Sequence, residues 1–408
     1  MGIYKQKKLV LAKIYYLSTA FDIAKKISFQ KEKTYTRFIV RLSIAATAIS
    51  VAAIILTLGI VNGFQKSISN KVYEFWGDIR VASVNGIPLE LSQDPKVMMS
   101  DSIESITPFI NQSAVLSYGQ DIEGVVIKGT PANSKIPLLT KGTVFNTQDT
   151  NRNDIIISDA IANKLKIPLD SSIRIYLLNS GNIVQRKMKV IGFYHTGIEE
   201  YDRQYVLMDI KTVQKLLNNY TQVEGYTIKI KKDLPVDKVN EGLLNKIPKN
   251  WVATPIKDKY PQFFDWINVQ NVNKNVTITI LLIIAIVNLL TCLFILMLER
   301  VNMIGTLTAM GASHSFIRQI FLYQASFICW MGIGLGSIIG IGLALLQQKF
   351  SFIQLDESAY FIKYLPIHIN WLQVLLVIIS TAFISYVSFL IPTLWIKKIA
   401  PAKAIKFD

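Results

Sequence analysis

Four stretches of the chain contain no Lys, Arg, Asp or Glu: residues 42–65, 275–298, 319–348 and 364–396. Each reaches the roughly 20 residues needed to cross a hydrocarbon core of about 30 Å. A charge at the centre of such a segment costs about 2.5–3.5 kcal/mol, so these runs, in a chain otherwise dotted with lysine, predict four transmembrane helices. The first is rich in small residues (Ala45, Ala46, Ala48, Ser50, Ala52, Ala53), and the third repeats glycine every fourth position at Gly332, Gly336 and Gly340. Both patterns predict close helix packing, inside this chain or against a neighbour, in a medium where hydrophobicity no longer drives association. Pro366 opens and Pro392 nearly closes the fourth run, with Trp371 and Trp395 near its two ends as interfacial aromatics prefer.

Between the first two runs the pattern changes to short apolar alternations separated by turn residues. Strands are predicted over 79–84, 113–118, 124–128, 154–157, 173–178, 187–193, 205–208 and 226–230, and helices over 158–166, 210–217 and 236–245. This is an α+β external domain large enough for two subdomains. Before the first run, Ile14, Leu17, Phe21 and Ala24 recur at helical spacing among lysines, predicting an amphipathic helix in the membrane interface.

The net charge is +16 over 408 residues. Its densest basic runs flank the apolar segments: residues 1–41 hold ten Lys or Arg against two acids, and the tail after Ile396 holds four against one. The positive-inside rule then puts both termini in the cytoplasm and residues 66–274 outside, with anionic lipid rather than nucleic acid as the partner of that charge. Cys292 and Cys329 both fall in apolar runs, which supports neither a disulfide framework nor a thiolate metal site. No cleavable signal peptide is evident, so the first span is expected to act as an uncleaved anchor.

The chain carries no G-x-x-x-x-G-K-[ST] phosphate loop and no G-x-S-x-G nucleophile elbow. None of the four runs has an ionisable residue near its centre, as an ion-driven carrier usually requires. His195, His314 and His368 are scattered, and the paired acids Glu199 and Glu200 read as solvated residues. The chain is therefore expected to be no enzyme and to bind no cofactor or metal. Any energy must arrive through a partner, and the short segment after the second run is where one would bind. There Ile304, Leu307 and Met310 recur at helical spacing, Gly311 is placed to end the turn, and Ser313 to cap the next helix. A plain connector and a partner-binding helix both fit this pattern.

Glu299-Arg300, Ile304-Gly305 and Ala309-Met310-Gly311-Ala312-Ser313 together resemble the coupling helix of the FtsX/MacB-type ABC permease superfamily. Ile23-Ala24-Lys25-Lys26, Val61-Asn62-Gly63-Phe64-Gln65, Gly192-Phe193 with Gly197 and Tyr201-Asp202, Tyr360-Phe361, Leu365-Pro366-Ile367 and Pro401-Ala402-Lys403-Ala404-Ile405 are similar to the lipoprotein-releasing Lol permeases within it. The resemblance covers nearly the whole chain in order. It implies four transmembrane helices plus an α+β periplasmic domain of the porter-plus-Sabre kind, in the inner membrane of a bacterium. It implies a cytoplasmic ABC ATPase dimer that binds ATP and Mg, a second permease subunit, identical or paralogous, a triacylated lipoprotein as substrate and a periplasmic carrier to receive it. Chains of LolC type carry a projecting loop that recruits the carrier, whereas the turn at 179–183 is short here, which leaves LolC-like and LolE-like roles open. A MacB-like exporter of drugs or peptides, a mechanotransmitter and an FtsX-like cell-division regulator remain as alternatives.

The expected organisation is a cytoplasmic amphipathic segment (1–37), a first span (38–64), the periplasmic domain (65–274), a second span (275–298), the coupling helix (299–315), a third span (316–348), a periplasmic loop (349–367), a fourth span (368–396) and a cytoplasmic tail (397–408). Glu299, Arg300, Ile304, Gly305, Leu307, Met310, Gly311 and Ala312 are the expected ATPase-coupling residues. Ala45, Ala48, Ala52, Asn62, Gly63, Phe64, Gly332, Gly336 and Gly340 are those expected in helix packing or a substrate cavity.

Overall fold

The computed structural model describes residues 24, 34–90, 98–134, 139–146, 153–179, 181–231 and 234–394. The basic runs at 5–8, 25–33 and 397–406, the amphipathic pattern apart from Ala24, and Trp395 lie outside the described residues. The chain forms two compact units, one of Met1–Phe64, Val269–Ile353 and Leu365–Asp408, the other of Gln65–Asn268 and Gln354–Tyr364.

Among the described residues, four helices are long and apolar enough to cross a membrane. Numbered along the chain, they are α1 (Thr34–Trp76), α7 (Pro261–Glu299), α9 (His314–Phe350) and α11 (Trp371–Leu394). The first two, at 43 and 39 residues, are far longer than a bilayer needs. α1 does not end with its charge-free run, because past Lys66 it gains a new apolar stripe, Ile68, Val72, Phe75 and Trp76, all buried. In the membrane unit, Val51 and Ile55 of α1, Leu289, Leu293 and Leu296 of α7, Phe321 and Ile328 of α9 and Phe389 of α11 share one core. Outward positions such as Val276, Ile280, Ile283 and Val287 are exposed and aliphatic, as a lipid-facing surface requires.

The second unit is built on β1 (Ile79–Ser83), β2 (Leu89–Glu90), β3 (Ile103–Tyr118), β4 (Asp121–Thr130), β5 (Leu139–Gly142), β6 (Asp154–Ser158), β7 (Ser172–Asn179), β8 (Asn182–Tyr194), β9 (Tyr205–Asp209), β10 (Gln222–Val223), β11 (Gly225–Ile230) and β12 (Trp251–Pro255). Its helices are α2 (Asp159–Lys164), α3 (Glu199–Gln204), α4 (Ile210–Leu216), α5 (Val236–Leu244), α6 (Ile256–Lys259) and α10 (Glu357–Tyr360). The pairing β3–β4–β9–β6–β8–β7–β3 closes on itself, with β4/β9 and β6/β8 parallel and the rest antiparallel. The first half of β3 leaves this ring and continues as an antiparallel sheet, β3–β11–β1–β12. One long strand thus belongs to both subdomains and fixes them to each other.

Alternation along the strands accounts for the core. In β7 the inward residues Ile173, Ile175 and Leu177 are buried while their neighbours point outward. The eight strands and three helices read from the pattern all occur. β2, β5 and β10 are too short for a period to register, and the start of β3 is interrupted by Pro108, which ordinarily argues against a strand interior.

Candidate coupling site

After Glu299 closes α7, Arg300 takes φ −109° and ψ 21°, which breaks the helix and starts α8 (Val301–Ala309). Ile304 and Gly305 are buried, and Ile304 joins the membrane core beside Ile317 and Phe321. Leu307 and Met303 pack with Ala24, Ile320, Phe316 and Tyr323. Met310 is 79% exposed. The three-residue steps that linked Ile304, Leu307 and Met310 each fall about 60° short of a full turn. Two of the ridge residues therefore anchor α8 to the bundle, and the third is presented outward.

The end of α8 is fixed by its own backbone. The Gly311 N–H donates to Thr308 O at 3.0 Å and the Ala312 N–H to Leu307 O at 2.9 Å, with Gly311 at φ +86°. This paired closure needs the left-handed conformation that glycine adopts without strain. Ser313 then caps α9, its Oγ accepting from Phe316 N–H at 3.3 Å. α8 is thus bounded by the break at Arg300 and by the Gly311–Ser313 closure, which join it directly to α7 and α9.

The glycine ridge of α9 lies against the small-residue face of α1. A Cβ on Gly332 would meet Thr47 Cβ at 2.7 Å, one on Gly336 would meet Ala48 O at 2.5 Å, and one on Gly340 would meet Ala52 Cα at 3.0 Å. Ala48 and Ala52 are buried in this contact and Ala45 faces outward. At the other end of α1, Asn62 donates to Gln373 Oε1 at 2.6 Å, the His368 N–H donates to Gly59 O at 2.9 Å, and Phe64 is half-buried. Gly63 admits the segment before α11, since a Cβ there would come within 2.2 Å of Pro366 O. Gly63→Ala is expected to lower the stability of the detergent-solubilised protein by about 1–3 kcal/mol, read as a drop in Tm, because a backbone carbonyl is what must move.

Two features of the ectodomain lie beyond what spacing could reveal. Phe75 and Trp76, ending α1, stack and edge against Tyr201, Tyr205 and Tyr260. Into this aromatic group runs Lys128, fully buried, its Nζ donating to Phe75 O and lying 3.8 Å from the centre of the Phe75 ring. Burial pushes its pKa down from 10.5 to about 7. Above pH 7 the unfolded chain then binds more protons than the folded one, so stability rises from about pH 7 toward 10.5, and below 7 the cost of the buried ammonium is fully felt. Lys128→Met is expected to flatten that slope and to raise Tm most at pH 6–7, by an amount corresponding to a few kcal/mol, in a pH series of melting curves.

The second feature is a polar chain. Asp202, buried, accepts from Thr196 N–H at 2.9 Å, Thr196 Oγ1 at 2.8 Å and Gly197 N–H at 3.0 Å. Burial raises its pKa, and these donors and His195 work against the rise. His195 Nδ1 lies 3.4 Å from Asp202 Oδ2, and its Nε2 lies 2.9 Å from Glu357 Oε1. Lys71 Nζ is 3.9 Å from the same Glu357 oxygen and donates to Phe361 O at 2.7 Å. These residues are scattered over nearly 300 positions of sequence, and nothing in their local spacing marks them as neighbours.

Residues 42–246, half of the chain, match the MacB-like periplasmic core domain, and residues 275–401 match the FtsX-like permease C-terminal domain. The chain is 24% identical over 381 residues to the lipoprotein-releasing system transmembrane protein LolC of Buchnera aphidicola subsp. Schizaphis graminum (strain Sg), covering 91% of this chain and 94% of that one. It is 20% identical to the lipoprotein-releasing system transmembrane protein LolE of Haemophilus influenzae (strain ATCC 51907 / DSM 11121 / KW20 / Rd), over 95% of this chain and 99% of that one. It is 22% identical to the macrolide export ATP-binding/permease protein MacB 2 of Yersinia pestis bv. Antiqua (strain Antiqua), over 68% of this chain but 42% of that one. The chain thus belongs to the MacB-like periplasmic core domain family, as an FtsX-like inner-membrane permease homologous to LolC and LolE whose ectodomain is periplasmic.

Proposed function

We propose that this chain is the permease subunit of an ATP-driven transporter that extracts lipoproteins from the inner membrane and hands them to a periplasmic carrier bound for the outer membrane. The observation that carries the reading is end-to-end similarity to LolC and LolE, whereas the likeness to the MacB protein stops short of half that protein's length. The expected topology has both termini and α8 in the cytoplasm. There Met310 and its neighbours meet a dimer of separate ATPases, which hold ATP and Mg. Closure of that dimer moves α8, and a second permease, identical or paralogous, completes the path.

The short β7–β8 connection bears on the division of labour. Asn179 pairs with Asn182, so the sequence leaves only two residues to join the strands. A LolE-like role, with carrier recruitment left to the partner permease, fits this turn.

Depleting the protein and fractionating the membranes tests the reading. Lipoproteins stranded in the inner membrane are the expected result. Drug or peptide sensitivity with normal sorting would favour a MacB-like exporter, and filamentation with normal sorting an FtsX-like regulator.

A further inference from the structure

We propose that Glu357 is a positioning residue, latching the hairpin between the third and fourth membrane helices onto the periplasmic domain through His195 and Lys71, and that this latch carries the power stroke of α8 to that domain. The proposal rests on the transporter reading above for what the stroke accomplishes.

The hairpin is an unusual piece of chain. Residues Gln354–Tyr364 fold with the periplasmic unit, although the residues on either side of them fold with the membrane unit. Its base is closed by a Gln354–Tyr364 bridge and by the Leu355 N–H donating to Lys363 O at 2.9 Å. Its tip, α10, aims Glu357 at His195 (2.9 Å) and turns Phe361 so that its carbonyl accepts from Lys71 (2.7 Å). Phe361 does this at φ +60°, a conformation that is costly for a non-glycine residue and persists only where surrounding contacts hold it.

The receiving surface is shaped for the hairpin. Gly197 is at φ +72°, and a Cβ there would fall 2.2 Å from Lys71 Nζ, 2.7 Å from Glu357 Oε1 and 3.0 Å from Phe361 O. Asp202 holds the 195–197 turn from beneath through its four hydrogen bonds, so the His195 ring is presented from a fixed backbone. Apart from the rings of Phe361 and Phe263, 6.1 Å apart, the contacts just described are polar or charged. Charge-assisted hydrogen bonds are short, directional and about twice as strong as neutral ones, which suits a junction that must bear load.

The path to α8 is covalent. α9 begins at the Ser313 cap that terminates the α8 turn and runs 37 residues, about 55 Å, to Ser351. Only Phe352 and Ile353 lie between Ser351, the C-terminal cap of α9, and Gln354 at the hairpin base.

The full chain, reconstituted with its ATPase and partner permease in nanodiscs carrying a lipoprotein, is compared with Glu357→Ala, His195→Ala, the double variant and His195→Gln. Amide exchange across 355–364 is expected to speed up at least tenfold in both alanine variants. Lipoprotein release is expected to fall at least tenfold while ATP hydrolysis stays within twofold, the double variant is expected to be no worse than either single one, and His195→Gln, which keeps one hydrogen bond to Glu357, to recover part of the release. Unchanged exchange in Glu357→Ala overturns the latch. Faster exchange with normal release overturns its role in transmission, and so does a loss of ATP hydrolysis in step with release, which marks a merely structural residue. If the wild-type complex releases no lipoprotein, the transporter reading fails, and the exchange arm still decides whether the latch exists.

Discussion

Met310→Glu is expected to abolish lipoprotein release and to strip the ATPase from the purified complex while leaving the permease folded. Met310 is 79% exposed on the capped end of α8, so a charge there costs the isolated chain little, within about 0.5 kcal/mol for an ordinary surface substitution. In an apolar socket on the ATPase the same carboxylate must lose its water without a partner, a penalty of several kcal/mol. Since about 1.4 kcal/mol is a factor of ten in binding, association should weaken by at least a hundredfold. Leu307→Glu is the contrasting variant, because Leu307 faces the bundle and packs with Ala24 and Ile320. It should lower the melting temperature as well as release. Equal Tm loss in both variants would mean that Met310 is a core residue, and normal ATPase retention in Met310→Glu would remove α8 as the docking element.

The other large effect is structural. Gly336→Leu is expected to prevent stable accumulation of the protein, because its Cβ would lie 2.5 Å from Ala48 O and 2.9 Å from Ala48 Cα, both backbone atoms that no rotamer change can move. Helices α1 and α9 would have to separate, losing the close packing that replaces hydrophobic association in a bilayer, at a cost of about 3 kcal/mol or more. Gly334→Leu supplies the control, since nothing lies within 4 Å of a Cβ at that position on the same helix. Immunoblots of membranes and melting curves in detergent should show the first variant depleted and unstable and the second near wild type. Similar behaviour of the two would mean that the ridge is not a packing surface.

Much of this molecule was legible from periodicity. Long charge-free runs give membrane helices because a bilayer admits little else, and strict alternation gave β7 because one face of it is buried. The glycines at 332, 336 and 340 announced a close contact, but which helix they meet depends on three-dimensional neighbours, and only the structure names α1. Ile304, Leu307 and Met310 recur at helical spacing and form an apolar ridge. Its drift around the helix divides it into an anchor and an outward contact, which spacing by threes conceals.

The polar latch was illegible for a different reason. Lys71 lies beyond the charge-free run on a helix that continues past it, His195 and Asp202 flank a tight turn, and Glu357 belongs to a connector between membrane helices. Apart from Asp202, which sits in the family-like Tyr201-Asp202 pair, each alone looks like an ordinary solvated residue. Lys128 was hidden similarly, because a lysine in an alternating strand gives no sign that aromatic rings from the end of α1 will close over it. Charges at such junctions are set by tertiary packing, and a single sequence records no trace of it.

The account depends above all on α8 facing the cytoplasm, where an ATPase can reach it. Cys292 and Cys329 are both buried, so Met310→Cys provides one reactive thiol on an otherwise quiet background. In intact spheroplasts a membrane-impermeant maleimide should leave this thiol unmodified, and label it only once the inner membrane is permeabilised. Labelling at full rate in sealed spheroplasts would put α8 on the outside and contradict the mechanism.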